Sequence, residues 1–127
     1  MGGEKLASVL DEGARRVLAW DGDDQGSDDH PYSVVMRTAN EIVDQVMSVD
    51  DQPGAGHAYV LLMWISDLVD DPRGPLSWEL CEITAHRYAT EWLALDNRSD
   101  LVQLNAFVLR WKLNLRAIGE GDLSSLD

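Results

Sequence analysis

Glu79, Glu82 and His86 lie three and four residues apart, a spacing that puts all three on one face of a helix. Two carboxylates and an imidazole so arranged can bind a divalent cation or exchange a proton with a substrate. Glu82 also borders an apolar row near Trp78, Ala89 and Leu93, where an acid is drawn toward its neutral form or toward a metal. Helical bundles that hold two metals repeat a Glu-x-x-His pair on facing helices. Here Glu-x-x-Glu and Glu-x-x-x-His occur once in this stretch, and Glu41 and Asp44, a further carboxylate pair, fall on the polar face of their segment. Asp67 and Asp70 form another such pair. A metal-dependent hydrolase built on Glu79, Glu82 and His86 is therefore the alternative function. The competing reading pairs Glu82 with another acid or with an arginine inside the fold.

A second arrangement of metal-type residues is the stretch DGDDQGSDDHP, from Asp21 to Pro31. Counted from Asp21, a helix–loop–helix calcium site would take Asp21, Asp23, Gln25 and Asp29 as oxygen ligands, with Gly26 at the sharp turn. Its twelfth position is Tyr32 instead of a bidentate Glu, Asp28 stands where an apolar residue packs, and Pro31 restricts the exit. The stretch reads better as a concentrated negative loop, with Asp21, Asp23, Asp24, Asp28 and Asp29 as contacts for a basic protein. No cofactor is expected.

Other chemistry is sparse. There is no Gly-x-Ser-x-Gly elbow and no phosphate-binding glycine loop. His30 and His57 stand at loop–helix junctions, where a histidine caps a helix or is exposed. Cys81 is the one cysteine, which excludes an intrachain disulfide and a thiolate zinc cluster; its apolar neighbours predict a buried, inert thiol.

Five segments of helical period, cut by proline and glycine clusters, must position these residues. The first, about Glu4 to Trp20, carries Leu6, Val9, Leu10, Ala14, Val17 and Leu18 on one side and i,i+4 pairs of Asp11 with Arg15 and Glu12 with Arg16 on the other. The second, about Pro31 to Ser48, turns Val35, Ala39, Ile42, Val43 and Val46 inward, with Pro31 at a first helical position. The third, about Ala58 to Asp70, opens with AYVLLMWI, apolar on every side and so central. The fourth, about Ser77 to Leu95, faces inward with Trp78, Cys81, Ala85, Tyr88, Ala89 and Trp92. The fifth runs from about Asp100 to Ile118, with Asp100 and Gln103 in a capping arrangement.

That last helix carries two apolar rows. Leu104, Phe107, Val108, Trp111, Leu115 and Ile118 suffice to dock it, while Val102, Ala106, Leu109 and Leu113 recur at spacings of four, three and four. A helix that only caps a bundle needs one row. Two rows mean burial on both sides or contact with another chain, a homodimer included. The same helix holds three bases and no acid between Asp100 and Glu120.

Composition sets the frame. Twenty-three acids against ten bases give a net charge of −13, which argues against direct nucleic-acid or anionic-membrane binding. A small acidic helical protein can also mimic nucleic acid, but sixteen of the acids are Asp and many fall in loops, which suits capping and solubility better than an ordered array. No signal peptide is visible, so a cytoplasmic protein is the default expectation. The reading is an all-α compact bundle of about five helices, the third and fifth most buried, over residues 1–118, followed by a flexible tail at 119–127. Its function reads as a small non-catalytic interaction protein, a regulator, inhibitor or immunity-type factor with a basic protein partner, that uses the acidic loop and the row Val102, Ala106, Leu109, Leu113.

Overall fold

A computed structural model describes residues 4–20, 30–47, 54–69 and 77–124. The apolar row of the first segment forms α1 (Glu4–Ala19) and is buried along Leu6, Val9, Leu10, Ala14 and Val17. α1 packs against α4 (Ser77–Leu93) and α2 (Pro31–Glu41); α2 packs in turn on α3 (Ala55–Asp67) and α4. α5 (Leu101–Gly119) lies on α3. The described residues contain no strand, and the all-helical bundle expected from the periodicity is the fold.

The contact of α1 with α2 depends on Gly13, which is buried. A methyl group there would collide with the hydroxyl and methyl of Thr38, so the missing side chain sets how closely the two helices approach. α2 starts as predicted with Pro31 in its first turn, where a missing backbone N–H costs nothing. It continues into a π-helical turn, Ile42–Met47. The wider winding keeps Ile42 and Val46 buried but turns Val43, expected to face inward, into solvent.

Gly54 precedes α3 with a φ of 89°, a left-handed conformation that suits glycine. A Cβ at this position would also strike the side chain of Asn105 on α5. α3 buries Ala55, Ala58, Leu61, Leu62 and Ile65 yet exposes His57, Trp64 and Asp67. α5 buries six of its nineteen residues. Burial therefore does not set α3 and α5 apart from the rest, because each keeps a side in water.

α4 and α5 meet through aromatic rings. Trp92 and Tyr88 from α4 pack on Phe107 with centroids 5.3 and 5.5 Å apart, and Tyr88 also meets Trp111 edge-on at 6.2 Å. Trp92 and Trp111 are core anchors with no exposed surface; Trp20 and Trp78 are half-buried, and Trp64 is exposed under the ammonium of Lys112. The α4–α5 connection is tied back to α1 at Asp11. Its carboxylate accepts from the Trp92 indole (2.7 Å) and from Arg98 Nε (2.6 Å) and Nη2 (3.2 Å). Arg98 also donates to the carbonyls of Leu93 and Leu95, closing the end of α4.

Asp100 caps α5 as the sequence predicts, accepting from the Val102 N–H at 2.9 Å. Gln103 does not complete the reciprocal box; its side-chain oxygen accepts from the N–H of Asn97. At the other end Gly121, at φ 96°, lets the chain fold back so that the N–H of Asp122 donates to the Ala117 carbonyl. The segment expected to form a tail begins with this closing turn, and residues 120–124 are exposed. No described helix is long and apolar enough to cross a membrane.

Candidate functional site

His30 ends the loop before α2 and is fully buried. Its Nδ1 accepts the backbone N–H of Tyr32 at 3.0 Å, which makes His30 the N-cap of α2. With Nδ1 serving as acceptor, Nε2 carries the proton and donates to Glu82 Oε1 at 2.9 Å. The ring makes edge contacts with Trp20 (5.2 Å) and Trp78 (5.0 Å), and Tyr32 packs edge-on against Trp78 (5.4 Å). Such edge contacts contribute about 0.5–1.5 kcal/mol each beyond the area they bury. Both ring nitrogens are engaged, so this imidazole has no free position for a substrate or a metal.

Glu82 faces a cleft of about 350 Å³ lined by Val17, Trp20, Pro31, Ile83, His86 and Arg87. Its polar side chains, Glu82, His86 and Arg87, all come from α4. Of the three residues singled out in the sequence, the structure brings Glu82 and His86 to this cleft but not Glu79, which is exposed elsewhere on α4. Arg87 is turned toward Glu91, with Nε 2.9 Å from Oε2. Among the described residues no three His, Cys, Asp or Glu side chains come together as a metal-binding group. Glu82 does have a partner within the fold, but the partner is His30 at the junction before α2 and neither another acid nor an arginine. A capping position before Pro31 was the signal for the role of His30; nothing in the spacing pointed to Glu82.

Cys81, beside Glu82 on α4, is buried, and burial followed by the neighbouring carboxylate pushes its thiol up to about 12. The thiol is buried, as its apolar setting predicts, and a thiol kept protonated is a weak nucleophile. Tyr88 is raised too, by burial first and then by Asp11.

The second apolar row of α5 stands in solvent. Val102 is 77% exposed, Leu109 52% and Leu113 67%, and Ala106 is exposed between them. Burial on both sides, one of the two readings of this helix, is therefore not what the fold provides. The row is flanked on one side by Arg110, which reaches Glu91 Oε1 at 2.6 Å, and on the other by Lys112, whose Nζ lies 3.2 Å from His57 Nδ1. The loop residues Asp21, Asp23, Asp24, Gln25, Asp28 and Asp29, read as a negative surface with a partial calcium pattern, lie outside the described residues.

Compared with family models, with curated proteins and with solved structures, the chain matches none.

Proposed function

We propose that this chain is a small, non-catalytic interaction protein, a regulator, inhibitor or immunity-type factor, whose partner is a basic protein. The observation that carries this reading is how the positive charge is placed. Among the described residues six of the ten bases, Arg15, Arg16, Arg87, Arg98, Arg110 and Arg116, close on Asp11, Glu12, Glu91 and Glu120. Most of the positive charge is thus paired within the chain, while acids outnumber bases by thirteen overall. Charge of one sign steers an oppositely charged partner and speeds its capture. The engagement of Glu82 by His30 and the outlying position of Glu79 weigh against hydrolase chemistry on α4. The exposed row of α5 is a further protein contact in this reading, open to a partner or to a second copy.

The test is co-purification from the native host across a salt series. A specific partner with a basic surface, released as ionic strength rises from about 0.1 to 0.5 M, is the expected result. A partner that is acidic, or one held equally well at high salt, would overturn the reading. Competition by duplex DNA for the same partner would shift it toward nucleic-acid mimicry.

A further inference from the structure

The exposed row of α5 has a symmetry that its composition alone does not reveal. Val102, Ala106, Leu109 and Leu113 are spaced four, three and four, and the series reads the same from either end. At 3.6 residues per turn these four positions share one side of the helix, opposite the buried row of Leu104, Phe107, Val108, Trp111, Leu115 and Ile118. A two-fold axis through the midpoint, between Ala106 and Leu109, therefore superposes the row on its own reverse. We propose that the row docks on the same row of a second copy, antiparallel, with Val102 against Leu113 and Ala106 against Leu109.

Side-chain size selects this orientation. Antiparallel pairing sets the smaller residue of each pair opposite a leucine, so the gap over Ala106 is filled by the partner's Leu109. Parallel pairing would put leucine on leucine and leave a void between two alanines. Complementary shape of this kind is what lets a knob enter a hole between helices.

Charge selects it as well. Arg110, Lys112 and Arg116 lie from the middle of α5 to its C-terminal end, while the capping Asp100 stands at its N-terminal end. Parallel helices would stack the bases on each other. Antiparallel helices bring the exposed Arg116 beside the other copy's Asp100, and also oppose the helix dipoles. Between Asp100 and Glu120 there is no acid, so two molecules of net charge −13 meet where their like charges are sparsest. The contact is isologous, which closes the assembly at two copies and leaves no open end.

The seam is short. Eleven residues of rise span roughly 16 Å, less than a standard interface of about 800 Å² per partner requires. Association is accordingly weak and dependent on concentration.

This inference rests on reading the chain as an interaction protein, and its test is separate from the salt series above. Sedimentation of the purified full chain over a concentration series should show the mass rising from 14.1 kDa toward twice that value. Leu109→Glu should abolish the rise while leaving the circular dichroism and melting temperature unchanged, because Leu109 is exposed. Val102→Cys and Leu113→Cys proteins, mixed and oxidised, should give mainly the mixed disulfide. Cys81 is buried and does not compete. A mass of 14.1 kDa at every concentration, or disulfides mainly between identical variants, would overturn the antiparallel pair. If such a monomer still released a basic partner with salt, the pairing would fall and the interaction reading would stand.

Discussion

The Nε2 of His30 lies 2.9 Å from Oε1 of Glu82, joining residues 52 apart in the chain. Because Nδ1 is already the acceptor for the Tyr32 N–H, the proton on Nε2 points one way, into the Glu82 carboxylate. The pair fastens α2 to α4 while two indoles cover the ring.

Removing the ring should therefore matter more than removing the charge. His30→Ala loses the cap of α2 and leaves a void between Trp20 and Trp78, together about 2–4 kcal/mol. Glu82→Gln keeps an oxygen acceptor at the same place and should cost about 1 kcal/mol or less. Urea unfolding of the two variants measures the difference. Equal losses would show that the Glu82 charge, and not the packed ring, holds the contact.

Asp11 is the second fixed point. Asp11→Ala strips the acceptor from both the Trp92 indole and the Arg98 guanidinium, and should cost about 3 kcal/mol. Arg98→Ala leaves the Trp92 bond intact and should cost less. A double-mutant cycle between them should return a coupling of about 1–3 kcal/mol. A coupling near zero would mean that Arg98 is held by the Leu93 and Leu95 carbonyls alone.

Local signals in the sequence carried well into the structure, and long-range pairings did not. The helical period of Leu6, Val9, Leu10, Ala14 and Val17 is the buried face of α1, and Asp100 and Pro31 start their helices as their side chains dictate. These are decided within a turn of chain. The partner of Glu82 was not legible, because three- and four-residue spacing reports only neighbours on one helix, whereas His30 arrives from another. The same limit applies to Asp11, paired in the sequence with Arg15 but held in the structure mainly by Trp92 and Arg98. Val43 was misplaced because apolar period presumes α-helical winding, and the turn at Ile42–Met47 is wider. The two rows of α5 were legible as rows; which one faced solvent depended on the packing of α3 and α4.

Gly13 tests the closest helix contact. In an open helix, Gly→Ala gains up to about 1 kcal/mol. Here the added methyl group runs into Thr38, so Gly13→Ala should instead lose about 1–3 kcal/mol. The double variant Gly13→Ala, Thr38→Ala removes the colliding atoms and should recover most of that loss. Thermal melts of the three proteins decide it. A stabilised single variant would mean that α1 and α2 can separate without cost.

Alkaline stability follows from two buried protons. Cys81 is raised from 9.0 to about 12, and Tyr88 is raised above 10.0, in both cases mainly by burial. The folded state thus keeps these protons at a pH where the unfolded chain has lost them. Their stabilisation is intact below pH 9, begins to drain away above it as the unfolded thiol ionises, and falls more steeply above pH 10 when Tyr88 joins. Each group contributes a slope of at most about 1.4 kcal/mol per pH unit. Chemical denaturation at pH 8, 9, 10 and 10.5 should therefore show a downward bend near pH 9. Cys81→Ala should remove the bend between pH 9 and 10. Tyr88→Phe should flatten the curve above pH 10, and at pH 8 it should cost little or even stabilise, since the Tyr88 hydroxyl is buried without a hydrogen-bond partner among the described residues. Retention of the full alkaline slope in Cys81→Ala would show that its thiol reaches solvent before the domain unfolds.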